Sequence, residues 1–289
     1  MGNKLGENEI KMKNTQKKRQ RWQLVAIGCG VLALAAGITT VVLTANFLGK
    51  EGESEVKMEK LRVEVKATEK PLESESDVSE MQTPFPLPEN PYARLFAENA
   101  DMAAWLVVDN TVIDYPVMQT MEDENYYLYR DFYGNEDKAG CLILDTDSKI
   151  YDTEGTGNLI IHGHNMKAGT MFGELDAYKE EAYYQEHKYM ELYTKAEKRE
   201  YEVIAVFYSQ VYYSTDNVFK YYQFFKAENE TEFRDFYDNI KKMSLYDTGV
   251  AAQFGDQFLT LSTCTYHVED GRFVVVAKET GREEQYAVP

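Results

Sequence analysis

Four zones of hydrophobic patterning follow one another along the chain. Trp22 to Leu48 holds no charged residue. As a helix it would span about 40 Å at 1.5 Å per residue, more than the ~30 Å hydrocarbon core, which predicts a transmembrane helix. Residues 50–90 hold eleven acids and six bases, little sustained apolar periodicity, and the cluster Pro84, Pro86 and Pro88 near their end. That pattern reads as a linker, extended or partly helical. From Asn90 the pattern changes, because Leu95, Phe96, Met102, Trp105 and Leu106 fit one apolar helical face and predict a first helix over 91–104. Short β-rich runs follow at Trp105–Val108, Val112–Val117, Cys141–Leu144, Asn158–Ile161, Tyr201–Tyr208, Phe258–Cys264 and Arg272–Ala277, with turn signals such as Asp109-Asn110 and Gly134-Asn135 between them. Seven or eight such strands around one core predict a mainly β fold, a closed or nearly closed barrel. One later helix is well marked: Asn229 and Glu232 form a capping pattern ahead of Phe233, Phe236, Tyr237 and Ile240 at helical spacing.

Charge orients this plan. Residues 1–21 carry seven bases against two acids, although the whole chain has a formal net charge of −18. The positive-inside rule keeps such a tail in the cytoplasm. The organisation expected is a cytoplasmic basic tail (1–21), a signal anchor (22–48), an extracellular acidic linker (49–89) and a compact extracellular domain (90–289). A cleaved signal peptide is the competing reading, with Ala33-Leu34-Ala35 as its small-x-small site, but that triplet lies midway through the apolar run. The acidity of the outer part excludes nucleic acid as a partner. It suits a cationic or amine-bearing substrate, but a plain soluble acidic surface is the simpler account.

Three cysteines give no disulfide framework: Cys29 lies in the apolar helix, Cys141 in an apolar run, and Cys264 is left as an outer thiol. A Cys141–Cys264 bridge is the competing use of the last two. Phe258–Cys264 and Arg272–Val276 flank a seven-residue loop ending in Asp270-Gly271. Paired as a hairpin, they make Cys264 and Arg272 neighbours. A cation beside a cysteine favours the thiolate and can bind a developing oxyanion; a buried cysteine beside a surface arginine is the plainer alternative. Upstream, an apolar strand runs into the turn Ile161-His162-Gly163-His164-Asn165-Met166. Its histidines suit acid–base chemistry near neutral pH. Their i, i+2 spacing also suits metal ligation, but His187, His267 and Cys264 are only nominal further ligands, so no metal and no cofactor is expected.

These segments resemble the sortases, the cysteine transpeptidases of Gram-positive cell walls. Thr260-Leu261-Ser262-Thr263-Cys264 looks like their TLxTC signature, followed eight residues on by Arg272, and the I-H-G-H-N-M segment resembles their histidine motif. Trp105-Leu106, Ile113-Asp114-Tyr115-Pro116-Val117, Tyr126-Tyr127-Leu128 and Lys138-Ala139-Gly140 extend the likeness over most of residues 90–289, and the helix of 229–243 points to class B. The resemblance implies an eight-stranded closed β-barrel with an N-terminal helix and a further helix between late strands. It implies Cys264 as nucleophile, His164 as general acid, Arg272 at the oxyanion, and Ser262 and Thr263 beside the peptide groove. His162 stands where the family pattern often has tyrosine. The implied substrates are surface proteins with a C-terminal sorting signal, NPQTN-like or LPxTG-like, cleaved after threonine through a thioester and joined to a peptidoglycan precursor or stem-peptide amine. The alternatives are a pilus-polymerising sortase that uses a pilin lysine, and an inert membrane-tethered binding module. The L,D-transpeptidases are set aside because no SHGC run occurs.

Overall fold

The computed structural model describes residues 52–63, 65, 90–152, 154–265 and 268–286. The apolar stretch 22–48 lies outside them, and among the described residues no helix is long and apolar enough to cross a membrane.

Eight strands close a barrel: β1 (Met102–Val108), β2 (Asp114–Met118), β3 (Leu142–Leu144), β4 (Thr156–Gly163), β5 (Tyr189–Thr194), β6 (Glu197–Gln210), β8 (Phe258–Cys264) and β9 (Gly271–Gln285). Their order is β3-β2-β1-β5-β6-β9-β8-β4, and a β3–β4 pairing completes the circle, while the two-residue β7 (Lys226–Ala227) joins β4. The β2–β3 and β4–β8 ladders are parallel and the rest antiparallel. Closure leaves the eight strands without free edges.

Period-two alternation sorts the side chains of β8 and β9 to two sides. Leu259, Leu261, Phe273, Val275 and Ala277 join the larger core, whereas Phe258, Val274 and Val276 face a second cluster outside it. Past a short helix α3 (Glu181–Glu186), the helix α4 (Glu230–Met243) covers that second side with Phe233, Phe236 and Ile240. Its capping motif forms as expected: the Asn229 side chain accepts from the amides of Thr231 and Glu232, both at 3.1 Å, while Glu232 accepts from the amide of Glu228 at 2.8 Å. Beyond Phe258, the same outward face of β8 continues through Thr260 and Ser262 to Cys264.

Two expectations change. The helix expected over 91–104, α2, is only Ala93–Glu98. Asn99 ends it, donating to Tyr127 Oη at 3.0 Å and Phe132 O at 2.6 Å, and Met102, Trp105 and Leu106 belong to β1. The segment expected as a linker from residue 49 contains a helix over 52–63, α1, that docks on the barrel. Met58, Leu61 and the following Val65 are buried in the main core. Lys57 reaches Asp131 at 3.0 Å and Asp137 at 3.3 Å, and the Arg62 guanidinium lies 4.8 Å from the centre of the Tyr115 ring.

Candidate active site

The β8–β9 hairpin places Cys264 directly across from Arg272, the last row of that ladder. The cysteine is exposed at the strand end, and Cys141 is buried elsewhere; both thiols are free, so no bridge joins them. The Arg272 guanidinium donates to the main-chain oxygens of Asp270 and Gly271, at 3.2 and 3.0 Å. Among the described residues it pairs with no carboxylate, so no ion pair neutralises its charge.

On the other side of β8, β4 runs parallel in the register His162↔Ser262 and Gly163↔Thr263, and the ladder stops there. His164 and Cys264 are the next residue on each strand. Both line a groove of about 390 Å³, with Arg272 at one side and Glu124, Asp145 and His162 at the other. In the order β3-β4-β8-β9, Asp145 follows β3 and Arg272 is the second residue of β9, at the two margins of a four-strand patch. Neighbouring strands lie about 4.8 Å apart, so the groove is polarised over roughly 14 Å, with thiol and imidazole between the poles.

The two histidines are held differently. His164 Nε2 lies 2.9 Å from the carbonyl of Leu128. A carbonyl can only accept, so Nε2 carries the hydrogen and Nδ1 is left for proton exchange. Its ring lies 5.0 Å from that of Tyr129. Burial pushes the His164 pKa below the ordinary imidazole value, with the Leu128 bond opposing more weakly. His162 Nε2 lies 3.3 Å from Asp145 Oδ2 instead. Glu124 stands nearby, its pKa raised by burial and then by the charge of Asp145. Glu124, Asp145 and His162 each offer a ligand atom within 4.8 Å of the others. Metal-ligating geometry therefore gathers around His162 and two carboxylates, not around the His162/His164 pair; His187 bonds Asp109 O, and His267 lies outside the described residues.

The depressed pKa of His164 has a consequence for stability. The unfolded chain takes up this proton before the folded one does, so His164 costs nothing above the ordinary imidazole range and destabilises the fold as pH falls through it. Histidine NMR across pH 4–8 is expected to show His164 titrating below a model imidazole. A midpoint at or above that value would contradict the burial argument.

Ser262 and Thr263 are both buried at the base of the groove, and their hydroxyls are engaged. Ser262 Oγ lies 2.7 Å from Tyr221 Oη, and Thr263 Oγ1 donates to Gly163 O at 2.8 Å, tying β8 to β4. Several other groove residues have no role that the sequence alone suggests. Tyr221 and Tyr222 open a short 3-10 turn (Tyr221–Gln223) with no apolar periodicity to announce it, whereas Leu128 belongs to the Tyr126-Tyr127-Leu128 run.

A model of the sortase domain matches residues 106–280, from β1 well into β9. The Sortase B of Listeria monocytogenes is 33% identical over 184 residues, covering 62% of this chain and 70% of that protein, and the Sortase B of Staphylococcus aureus is 29% identical over 185. The crystal structure of sortase B from B. anthracis in complex with AAEK1 superposes with a TM-score of 0.64 at 29% identity, over 81% of this chain and all of that one. A Staphylococcus aureus sortase B–substrate complex gives the same TM-score at 25% identity, over 80% of this chain and 98% of that one. The likeness first carried by a few short motifs thus extends through every barrel strand that builds the groove, and the chain belongs to the sortase family, the cysteine transpeptidases, with its relatives in class B.

Proposed function

We propose that this sortase cleaves a C-terminal sorting motif after threonine and transfers the protein to an amine of the cell wall, with Cys264, His164 and Arg272 as its catalytic set. One observation carries the reading: Cys264 and Arg272 form a directly opposed pair, and His164 lines the same groove from the adjoining strand. The Cys264 thiolate attacks the threonine carbonyl carbon, and Arg272 stabilises the oxyanion. The C–N bond breaks as the His164 imidazolium gives its proton to the leaving amine, and a thioester remains. An acceptor amine then attacks the thioester, the C–S bond breaks, the thiolate departs, and the amine's surplus proton returns to His164. One amide is broken and one formed, with no redox change. Ser262 and Thr263 support the groove floor through their bonds to Tyr221 and Gly163.

In this reading residues 90–289, with α1 docked on them, act outside the cytoplasm, and 22–48 holds the enzyme at the bilayer where its substrates are tethered. Sharing one membrane raises the effective concentration of each for the other. The test is turnover of NPQTN-like, LPxTG-like and PPxTG-like quenched peptides by the full chain, with and without amine acceptors. One motif is expected to be cut after threonine, with the acceptor captured in the product. His164→Ala is expected to lose about 10²- to 10⁴-fold and His162→Ala much less. If no motif is cut, the proposal fails; if only His162→Ala abolishes turnover, the acid is misassigned.

A further inference from the structure

The β4–β8 ladder ends one residue short of both functional side chains. Its last row is Gly163↔Thr263, and the next would have been His164↔Cys264. Sheet hydrogen bonding therefore does not itself set the spacing of imidazole and thiol. A side chain takes over at this point: Asn165 Nδ2 donates to the carbonyl oxygen of Cys264 at 2.8 Å, joining residues 99 apart in sequence. In a continuing parallel ladder a main-chain N–H of β4 would satisfy the β4-facing carbonyls of β8. The side-chain amide stands in for that donor where β4 has ended.

The clamp rests on a firm base. Asn165 forms an isolated bridge with Met171, and the amide of Phe172 donates to His164 O at 3.0 Å. Met171 has φ 54° and its amide donates to Tyr115 Oη at 3.2 Å. Gly173 packs so closely that a Cβ there would lie 2.3 Å from Met166 O. Behind Asn165, Asp176 Oδ2 accepts from the same Nδ2 at 3.4 Å, and Asp176 Oδ1 is buried without a partner among the described residues. A carboxylate at this distance favours the amide orientation that turns nitrogen, not oxygen, toward Cys264.

We infer that Asn165 is a positioning residue that holds the Cys264 main chain in the register His164 needs, and that Asp176 orients its amide. The inference rests on the roles proposed for Cys264 and His164. Asn165 touches no reacting atom; it acts because it adjoins His164 in the chain and bonds the nucleophile's own carbonyl. Losing the clamp lets two strand ends move independently, and a displacement of about 1 Å in such a pair can cost ~10²-fold in rate.

The test uses the full chain and two readouts: kcat and KM on the preferred sorting peptide, and the pH profile of Cys264 alkylation followed at the peptide level by mass spectrometry. Asn165→Asp keeps the shape and removes the donor. It is expected to lower kcat by at least tenfold with KM within about threefold, and to bring the alkylation profile to that of His164→Ala. Asp176→Asn removes the orienting charge without touching the loop, and a smaller shift of the same kind is expected. Wild-type kcat and alkylation profile in both variants would overturn the inference. So would a loss of turnover that only tracks the folded fraction measured by circular dichroism. Alkylation needs no substrate, so it still reads the clamp if no sorting peptide is turned over and the functional reading itself fails.

Discussion

Cys264→Ala is expected to reduce peptide cleavage and amine transfer on the order of 10⁶-fold, the size of loss seen when the nucleophile of an acyl-enzyme mechanism is removed. No other described thiol can replace it. Cys141 is fully buried in the main core, and burial pushes its pKa far above the ordinary thiol value, so it is neither ionised nor reachable. The fold should not register the change, because Cys264 is exposed at the end of β8 and surface truncations of that kind fall within about 0.5 kcal/mol. Unchanged thermal unfolding with absent turnover is therefore the expected pair of results. Intact-mass spectrometry on the wild type should trap an acyl adduct on Cys264 when no acceptor amine is supplied. Cleavage that survives in the alanine variant would end the case for a cysteine mechanism.

The hairpin that carries this prediction is legible in the sequence, because both its strands are β-rich and its loop ends in Asp270-Gly271; Asp270, at φ 52°, takes the left-handed conformation that such turns use. The same holds for α4, whose cap and apolar stripe are local signals. Features that depend on distant partners are harder to read. β5 offers one face of Met190, Leu192 and Thr194 between polar residues, and only pairing with β1 and β6 makes it a strand. In α1 the buried residues Ser54, Met58 and Leu61, with Val65 just beyond, repeat at steps of four, three and four, a helical stripe present in the sequence but hidden by the charges around it. The helix α2 is overextended in the sequence pattern for the opposite reason, since the apolar residues of β1 happen to fit a helical wheel.

At the site, the sequence points to the residues proposed to carry chemistry and not to those that hold them. Cys264, Arg272 and His164 stand out because thiols, guanidinium groups and imidazoles are distinctive at strand ends. The Leu128 carbonyl has no sequence signature at all, since any residue supplies a carbonyl; only the fold brings it to His164. The tether on the imidazole is thus a tertiary feature, and it leads to the second large effect.

Gly140→Ala is expected to damage both stability and catalysis through a single atom. Gly140 has φ +61°, and an added Cβ would lie 2.2 Å from Leu128 O and 2.7 Å from Tyr127 O. The conformation alone costs roughly 1–2 kcal/mol for a non-glycine residue, and the overlap with main-chain oxygens cannot be relieved by a rotamer change. The backbone of 127–128 must move, and Leu128 O is the acceptor that holds His164 Nε2. The Lys138-Ala139-Gly140 and Tyr126-Tyr127-Leu128 runs are therefore two sides of one contact, also joined by the Cys141 amide donating to Tyr127 O at 3.0 Å. Gly134→Ala separates the causes, because Gly134 also has positive φ, +80°, but its Cβ would approach nothing nearer than Tyr126 Oη at 3.5 Å. The control should lose stability from conformation alone and keep its turnover once folded. Gly140→Ala should lose more stability, drop at least tenfold in turnover per folded molecule, and show a displaced His164 titration by NMR. If its folded fraction turns over like the wild type, the Leu128 carbonyl is not what positions the imidazole.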